Sequence, residues 1–127
     1  MDAGQLGHTG EAIAAKYYLE RGFTLLAHNY QTRQGELDIV LRKGNLVVIC
    51  EVKTRAGIQL GTPAEAVTLA KQKRLILAAK QYLQQHGLME QYIRFDVAEV
   101  TPQAGNWLIH CIPNAFSAEE SLRGRRF

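Results

Sequence analysis

The stretch GELDIVLRKGNLVVICEVKTR, residues 35–55, decides the fold predicted for this chain. Its segments Leu37–Leu41 and Leu46–Val52 are rich in aliphatic and β-branched residues, which favour β-strands. Between them, Gly44-Asn45 is a two-residue signal for a hairpin turn. We therefore predict an antiparallel β-hairpin in which the numbers of paired residues sum to 89.

This register brings four charged side chains together. Asp38 lies opposite Glu51 and Glu36 lies opposite Lys53, and all four share one face because side chains alternate along a strand. Directly opposed Cβ atoms are about 4.5–5.5 Å apart, so the carboxylates at 38 and 51 can both reach one divalent ion. A three-residue loop would shift the register by one and break this arrangement. The opposite face is predicted to carry only apolar residues: Leu37, Ile39, Leu41, Leu46, Val48, Cys50 and Val52.

The charged face has two interpretations. The simpler one is a set of cross-strand ion pairs in solvent, Glu36 with Lys53 and Asp38 with Arg55. However, both faces of the hairpin carry apolar residues, so helices should cover both sides. Asp38 and Glu51 then repel each other unless a cation neutralises them. Carboxylate oxygens suit Mg²⁺ or Mn²⁺ rather than zinc. Such an ion beside a lysine suits phosphodiester hydrolysis.

The rest of the chain alternates helices and strands. Beyond the hairpin, the periodicity predicts a helix over residues 9–21, a strand over 23–30, a helix from 62 to 85 or 86, and strands over 92–100 and 107–112. Thr9 caps the first helix and Gly22 stops it, whereas Thr62, Pro63 and Glu65 mark the start of the second. A helical crossover favours parallel pairing of the strands it joins. The predicted fold is α/β, a central mixed sheet flanked by helices in the order α-β-β-β-α-β-β.

Length and composition indicate one domain. The chain has 127 residues, of which 46% are hydrophobic, a formal charge of +3 and a pI near 9.0. Residues 1–127 form a single unit, and residues 114–127 are predicted to be a flexible basic tail. Cys50 and Cys111 lie in apolar contexts without metal-ligand spacing, which indicates reduced thiols and a cytoplasmic location. No stretch has the character of a leader peptide or a membrane span.

The basic residues are unevenly placed along the chain. Residues 33–80 contain nine Lys and Arg against four Asp and Glu. Arg55 continues the charged face and is the best single candidate for a phosphate contact. Lys71 and Arg74 either line a phosphate track or form a solvated helix face. Arg33 and Gln34 either reach a phosphate or solvate a loop. The candidate nucleic-acid contacts are therefore Arg33, Gln34, Arg55, Lys71 and Arg74.

These residues carry a family resemblance. Asp38, followed after twelve residues by Glu51-Val52-Lys53, resembles the catalytic signature of the PD-(D/E)xK nuclease superfamily. The ordered motifs resemble, more narrowly, the YraN-like family of small bacterial predicted endonucleases, which is similar in fold to archaeal Holliday-junction resolvases. Those motifs are Gly10-Glu11, GELDIV at 35–40, EVKTR at 51–55, G-x-P-x-E-A-V at 61–67 and RFDV at 94–97. The resemblance covers roughly residues 7–100 and implies a restriction-endonuclease-like fold.

The resemblance also implies roles for particular residues. Asp38 and Glu51 would be metal ligands, Lys53 the catalytic lysine, and Glu11 a further acid facing the metal. Leu37 stands where the superfamily name has proline, a position that varies. For Glu11 the alternative is a favourable interaction of a first-turn carboxylate with the helix dipole. Glu36 shares the catalytic face, with pairing to Lys53 as its alternative role.

We therefore expect a Mg²⁺- or Mn²⁺-dependent endonuclease that hydrolyses phosphodiesters in DNA, with branched or structured DNA as its substrate by analogy. The expected partner is a nucleic acid, DNA in preference to RNA, and no membrane. A resolvase-like role also makes a homodimer a reasonable hypothesis. One alternative is a non-catalytic nucleic-acid-binding module with the same fold. Another is a protein-interaction domain whose acidic pair has no remaining role.

Overall fold

The computed structural model describes residues 3–55 and 67–118. In chain order, the elements are α1 (Ala3–Leu19), β1 (Thr24–Gln31), β2 (Glu36–Lys43), β3 (Leu46–Thr54), α2 (Leu69–Gln85), β4 (Tyr92–Gln103) and β5 (Asn106–Phe116). The strands form one sheet in the order β1-β2-β3-β4-β5. Only the β3–β4 pair is parallel among these strands, because α2 carries the chain back across the sheet between them. The predicted α/β fold and element order are confirmed.

The central hairpin has the predicted register. Pairing runs from Lys43 with Leu46 to Ile39 with Cys50, so the residue numbers sum to 89 throughout. Gly44 in the turn has a φ of 59°, which glycine adopts without steric cost. The ladder of β2 and β3 ends at Ile39, and Asp38 lies just beyond it.

Two hydrophobic clusters fill the two sides of the sheet. On the α2 side, the buried strand residues include Leu37, Val40, Val47, Ile49, Phe95 and Val97. On the α1 side, Ala14 and Tyr18 pack against Ile39, Leu41, Val48, Cys50 and Ala98. Each fully buried Val, Leu, Ile or Phe side chain in these clusters stabilises the fold by about 1.5–3 kcal/mol. Helices cover both faces, as the apolar character of both strand faces predicts.

The sequence predicts that Leu37 and Ile39 share one face of the sheet, and this prediction is wrong. Leu37 packs in the cluster on the α2 side, and Ile39 packs in the cluster on the α1 side. Leu37 pairs with Tyr30 of β1, whose ring contacts Tyr82 of α2 at a centroid distance of 4.9 Å. Just before Tyr30, Asn29 has a φ of 49°, a left-handed conformation that interrupts the regular alternation of β1. Leu37 therefore lies on the α2 side of the sheet, the same side as its partner Tyr30.

Both helices start at different residues from those predicted. Helix α1 begins at Ala3, and Thr9 is not its cap but lies inside it, where its hydroxyl donates to the Gln5 carbonyl at 2.8 Å. Helix α2 begins at Leu69, and the Thr68 hydroxyl caps it by accepting from the N–H of Lys71. The predicted start signal at residues 62–65 lies outside the described residues.

The C-terminal ends of the two helices agree better with the predictions than their starts do. Helix α1 ends at Leu19, slightly before the predicted residue 21, and the predicted Gly22 follows it with a φ of 88°. Helix α2 ends at Gln85, as predicted. Strand β5 continues to Phe116, which pairs with Phe95, so the predicted tail cannot begin at residue 114. The apolar ring of Phe116 is buried and holds this extension on the sheet. The predicted tail residues 119–127 lie outside the described part.

Two further expectations concern the cysteines and the membrane. Cys50 and Cys111 are both free thiols, as predicted. Within residues 3–55 and 67–118, neither helix is long and apolar enough to cross a membrane.

Candidate active site

A cavity of about 300 Å³ opens where β2 begins, β3 ends and α2 starts. It is lined by Gln34, Gly35, Glu36, Asp38, Glu51, Lys71, Arg74 and Leu75. The hairpin thus brings Asp38 and Glu51 to the same cavity, as its register predicts. Helix α2 adds two cations to them, Lys71 and Arg74.

Asp38 lies where the regular pairing of the hairpin stops. Its Oδ2 atom accepts a hydrogen bond of 2.8 Å from the N–H of Val52, in place of a backbone carbonyl of β2. Burial, and then the nearby charge of Glu51, raise the pKa of Asp38 from its ordinary 3.8 to about 7. The site therefore disfavours the ionised carboxylate until a positive charge is supplied.

Glu51 is held by two lysines. Its side chain is only 6% exposed, and its Oε1 atom lies 2.7 Å from Nζ of Lys71 and 3.6 Å from Nζ of Lys53. Among the described residues, Lys53 therefore pairs with Glu51 on its own strand, and not with Glu36 across the hairpin. Lys71 was predicted only as a phosphate contact, and here it is also the closest partner of Glu51. Sequence spacing does not reveal this pair, because it depends on how the first turn of α2 packs over β3.

The pKa values of the two lysines shift in opposite directions. Burial, together with the charge of Lys71, lowers the pKa of Lys53 despite its neighbour Glu51. Burial also acts against the charge of Lys71, but the hydrogen bond to Glu51 and the negative charge of that carboxylate together outweigh it and raise the pKa of Lys71. Lys71 is therefore a firmly charged partner of Glu51, whereas Lys53 gives up its proton more readily.

A second group of carboxylates adjoins Asp38. Oxygen atoms of Glu11, Glu36 and Asp38 all lie within 4.8 Å of one another. The amide Nδ2 of Asn29 lies between the two glutamates, donating to Glu11 Oε2 at 2.6 Å and to Glu36 Oε1 at 2.8 Å. Burial raises the pKa of Glu11, the bond from Asn29 lowers it, and the charge of Glu36 raises it, with a net shift upward. Three elements, α1, β1 and β2, meet in this group.

The structure excludes one of the two interpretations of Glu11, the interaction of a first-turn carboxylate with the helix dipole. Helix α1 begins at Ala3, so Glu11 lies in the middle of the helix and not in its first turn. An interaction with the helix dipole falls off within the first turn and cannot account for this position. Glu11 instead faces the acidic group beside Asp38.

Gly10 explains how Glu11 reaches this position. A Cβ atom placed on Gly10 would lie 1.8 Å from Oγ1 of Thr54, far inside any normal contact. Only glycine therefore lets α1 approach the end of β3 this closely. Sequence reasoning noted Gly10-Glu11 as a motif but gave no role to Gly10, Thr54 or Asn29. The left-handed backbone and the close approach that define those roles are properties of the folded chain.

The donor set fits a hard divalent cation. Asp38, Glu51, Glu36 and Glu11 offer only carboxylate oxygens, the ligand type that Mg²⁺ and Mn²⁺ prefer. Burial, and then the charge of Glu51, make Asp38 costly to ionise without a cation beside it.

The candidate nucleic-acid contacts divide into two groups. Gln34, Lys71 and Arg74 line the cavity, and within the described part of the chain the buried Oε1 atom of Gln34 has no hydrogen-bond partner. Arg33 is exposed on the adjoining loop. Among the described residues, the ion pair recorded for Arg55 is with Glu99 and is not the diagonal pair with Asp38 considered above. The Nε atom of Arg55 lies 3.5 Å from Oε2 of Glu99 on β4.

The basic residues of the hairpin turn lie away from the cavity. Arg42 donates to the carbonyl of Gly44, and Lys43 donates to the carbonyl of Arg21, both at the opposite end of β2 from Asp38. The positive excess of residues 33–80 is therefore not all gathered around the candidate site.

Comparisons with known proteins agree on the family. The sequence model described as "Uncharacterised protein family UPF0102" matches residues 10–100. A UPF0102 protein of Desulforapulum autotrophicum is 39% identical over 115 residues, covering 91% of this chain and 95% of the relative. Another, of Symbiobacterium thermophilum, is 43% identical and covers 90% and 98%. A third, of Alkaliphilus metalliredigens, is 43% identical and covers 87% and 96%. The chain therefore belongs to the UPF0102 family, the YraN-like family that its motifs resemble.

Proposed function

We propose that this protein is a metal-dependent endonuclease that hydrolyses phosphodiester bonds in DNA. The single observation that carries the proposal is the cavity in which Asp38 and Glu51 lie together, with Lys71 2.7 Å and Lys53 3.6 Å from Glu51. This combination of adjacent carboxylates and ammonium groups is the one that the PD-(D/E)xK signature requires. Helices cover both faces of the mixed sheet, which is consistent with a restriction-endonuclease-like fold.

The carboxylates would hold the ion. Asp38 and Glu51 are the proposed ligands of Mg²⁺ or Mn²⁺, with Glu11 and Glu36 as additional acids next to Asp38. The ion would supply Lewis acidity, polarising a phosphoryl oxygen and making a nearby water more acidic. The raised pKa of Asp38 supports this role, because a carboxylate that is costly to ionise alone gains most from a bound cation.

The lysines would act on the phosphate and on the attacking water. Lys53 contacts Glu51 and has a lowered pKa, so its amino group can accept a hydrogen bond or a proton from water more readily than an ordinary lysine. Lys71 remains charged and fixes the Glu51 carboxylate in place. Lys71, and Lys53 once it has taken up a proton, would offset negative charge that builds up on the phosphoryl oxygens.

The proposed substrate is DNA with a branched or otherwise structured backbone. Arg74 is exposed at the rim of the cavity, Gln34 lines it and Arg33 is on the loop beside it. Such side chains contact the phosphate backbone without reading the base sequence. The preference for branched DNA comes from the similarity to resolvases, and so does the proposed homodimer, which would present two active sites to two symmetric strands.

A cleavage assay tests the proposal. Purified protein is incubated with labelled duplexes, flaps, forks and four-way junctions, with Mn²⁺ or Mg²⁺ and separately with EDTA. We expect metal-dependent cleavage that Asp38→Ala abolishes and that Glu90→Ala, a change at an exposed carboxylate outside the cavity, leaves intact. A contaminating nuclease would cut with either variant.

Two outcomes overturn the enzyme proposal. If the protein cuts none of these substrates, or Asp38→Ala cuts as well as wild type, it is not this nuclease. If it binds DNA equally well in EDTA and with Mn²⁺ but never cuts, the non-catalytic nucleic-acid-binding module is the correct function. Light scattering with and without a four-way junction tests the homodimer, and a strict monomer in both samples refutes it.

A further inference from the structure

Asn29 has an unusual backbone conformation for its place in the fold. It lies in the interior of β1, yet its φ is 49°, in the left-handed region that residues other than glycine seldom adopt. The side chains on either side of Asn29 therefore lie on opposite faces of the sheet. His28 lines a cavity on the α1 side, whereas Tyr30 packs against Tyr82 of α2. Strained residues of this kind persist where the surrounding structure compensates for them, and they cluster at functional sites.

The side chain of Asn29 makes use of this position. Its amide nitrogen donates to Glu11 Oε2 at 2.6 Å and to Glu36 Oε1 at 2.8 Å. An amide nitrogen has two hydrogens, so each hydrogen serves one carboxylate and the donor capacity of the group is fully used. The same bonds reduce the repulsion between the two acids. Glu11 and Glu36 come from different elements, α1 and β2, and Asn29 is the side chain that links them.

We propose that Asn29 is a positioning residue whose side-chain amide holds the Glu11 and Glu36 carboxylates beside Asp38 in the arrangement that receives the metal ion. The inference rests on the proposed function for the ion, but the bridge itself is a property of the metal-free protein. Asn29 touches neither substrate nor the reacting atoms in this role. It acts through the two glutamates, as residues that orient metal ligands commonly do.

A glycine substitution separates this role from a purely structural one. Asn29→Gly removes the amide but accepts a φ of 49° without steric cost, so the backbone of β1 is kept and the two hydrogen bonds are lost. Ala104→Gly is the matched control, because Ala104 also has a positive φ, 47°, and lies in the turn between β4 and β5 outside both cavities. If Asn29 only shaped the backbone, both variants would behave alike.

The first measurement uses no metal. In a ¹⁵N–¹H correlation spectrum recorded in EDTA, the side-chain amide pair of Asn29 is assigned by its loss in Asn29→Gly. We expect both proton resonances to lie downfield of those of exposed asparagines. Glu11→Gln and Glu36→Gln should each move one of the two protons upfield. An ordinary pair of resonances that neither change affects would refute the bridge, whatever the function of the protein.

The second measurement is Mn²⁺ binding by titration calorimetry, with thermal unfolding of the same samples. We expect Asn29→Gly to bind Mn²⁺ at least about tenfold more weakly than wild type, the size of effect seen when a residue that orients metal ligands is lost. Its thermal unfolding without metal should remain a single cooperative transition, which shows that the fold is kept. Ala104→Gly should bind Mn²⁺ with wild-type affinity.

The outcomes distinguish this inference from the proposed function. If wild type and Asn29→Gly bind Mn²⁺ equally, the positioning role is refuted and the nuclease proposal stands. If Ala104→Gly loses affinity to the same degree, the effect does not belong to the amide and the inference is again refuted. If wild-type protein binds no Mn²⁺, the proposed metal function fails, and the positioning role for metal binding fails with it.

Discussion

Replacing Asp38 with asparagine should stabilise the metal-free protein at alkaline pH. The cavity raises the pKa of Asp38 from 3.8 to about 7 through burial and the adjacent Glu51. Between these two values, the unfolded chain ionises Asp38 while the folded chain keeps it protonated. The folded state is stabilised because it binds this proton more tightly than the unfolded chain does. That stabilisation is fully present below about pH 4 and is lost as the pH rises through 7. Asparagine cannot ionise, and its amide oxygen can still accept from the N–H of Val52.

The magnitude follows from the size of this shift. A pKa of about 7 in place of 3.8 corresponds to at most about 4 kcal/mol of stability lost above pH 7, at about 1.4 kcal/mol per pH unit. Lys71 and entering water reduce the repulsion once both carboxylates are charged. We therefore expect Asp38→Asn to raise the free energy of unfolding by about 1–2 kcal/mol at pH 8, or about 3–8 °C in melting temperature. At pH 4 the two proteins should differ little.

The assay is urea unfolding of both proteins in EDTA at pH 4, 6 and 8. Glu90→Gln is the matched control, because Glu90 is exposed and its carboxylate should contribute nothing of this kind. Mn²⁺ added at pH 8 should then stabilise wild type and not Asp38→Asn, because only the carboxylate gains from the cation. If Asp38→Asn is no more stable than wild type at pH 8 without metal, the account of a repelled, buried carboxylate is wrong.

Three further changes test other parts of the site and its support. Lys53→Met should lower DNA cleavage at least about 100-fold while Mn²⁺ affinity measured by calorimetry stays near wild type, since the ammonium acts on the phosphate and water and not on the ion. Equal cleavage would exclude Lys53 from the chemistry. Gly10→Ala should destabilise the fold by about 1–3 kcal/mol in urea unfolding, because its new methyl would overlap Thr54. Thr54→Gly in the same chain should restore most of that loss, and failure of the rescue would show that the two residues do not set the helix position. Tyr18→Phe should cost about 1–3 kcal/mol in the same assay, because the buried Asp96 loses a 2.6 Å hydrogen bond, and an unchanged midpoint would show that this bond contributes nothing.

The architecture around the site was largely predictable because it depends on local signals. A two-residue turn at Gly44-Asn45 sets the register of β2 and β3, and alternation then places Asp38 and Glu51 at the same end of the hairpin. The helical segment between β3 and β4 predicts their parallel pairing. These features follow from backbone periodicity and turn geometry, which neighbouring residues specify.

The starts of the helices were less predictable. Thr9 has the residue type of a cap, but its hydroxyl bonds to a carbonyl one turn earlier within α1. Thr68 caps α2, whereas the predicted start signal lies outside the described residues. Several residues of each segment suit a helix start, and packing of the whole helix on the sheet selects among them.

By itself, the sequence determined the mixed α/β sheet, the hairpin register and the adjacency of Asp38 and Glu51. Only the tertiary structure decided that Glu11 joins the acidic group, that Lys71 binds Glu51 and that Asn29 bridges Glu11 and Glu36. The physical reason is the range of the interactions. Turn chemistry and side-chain alternation act within a few residues. The contacts of Glu11 and Lys71 instead join side chains 18 or more positions apart and depend on how α1 and α2 dock on the sheet. The bond from Asn29 to Glu36 depends on the left-handed backbone at Asn29.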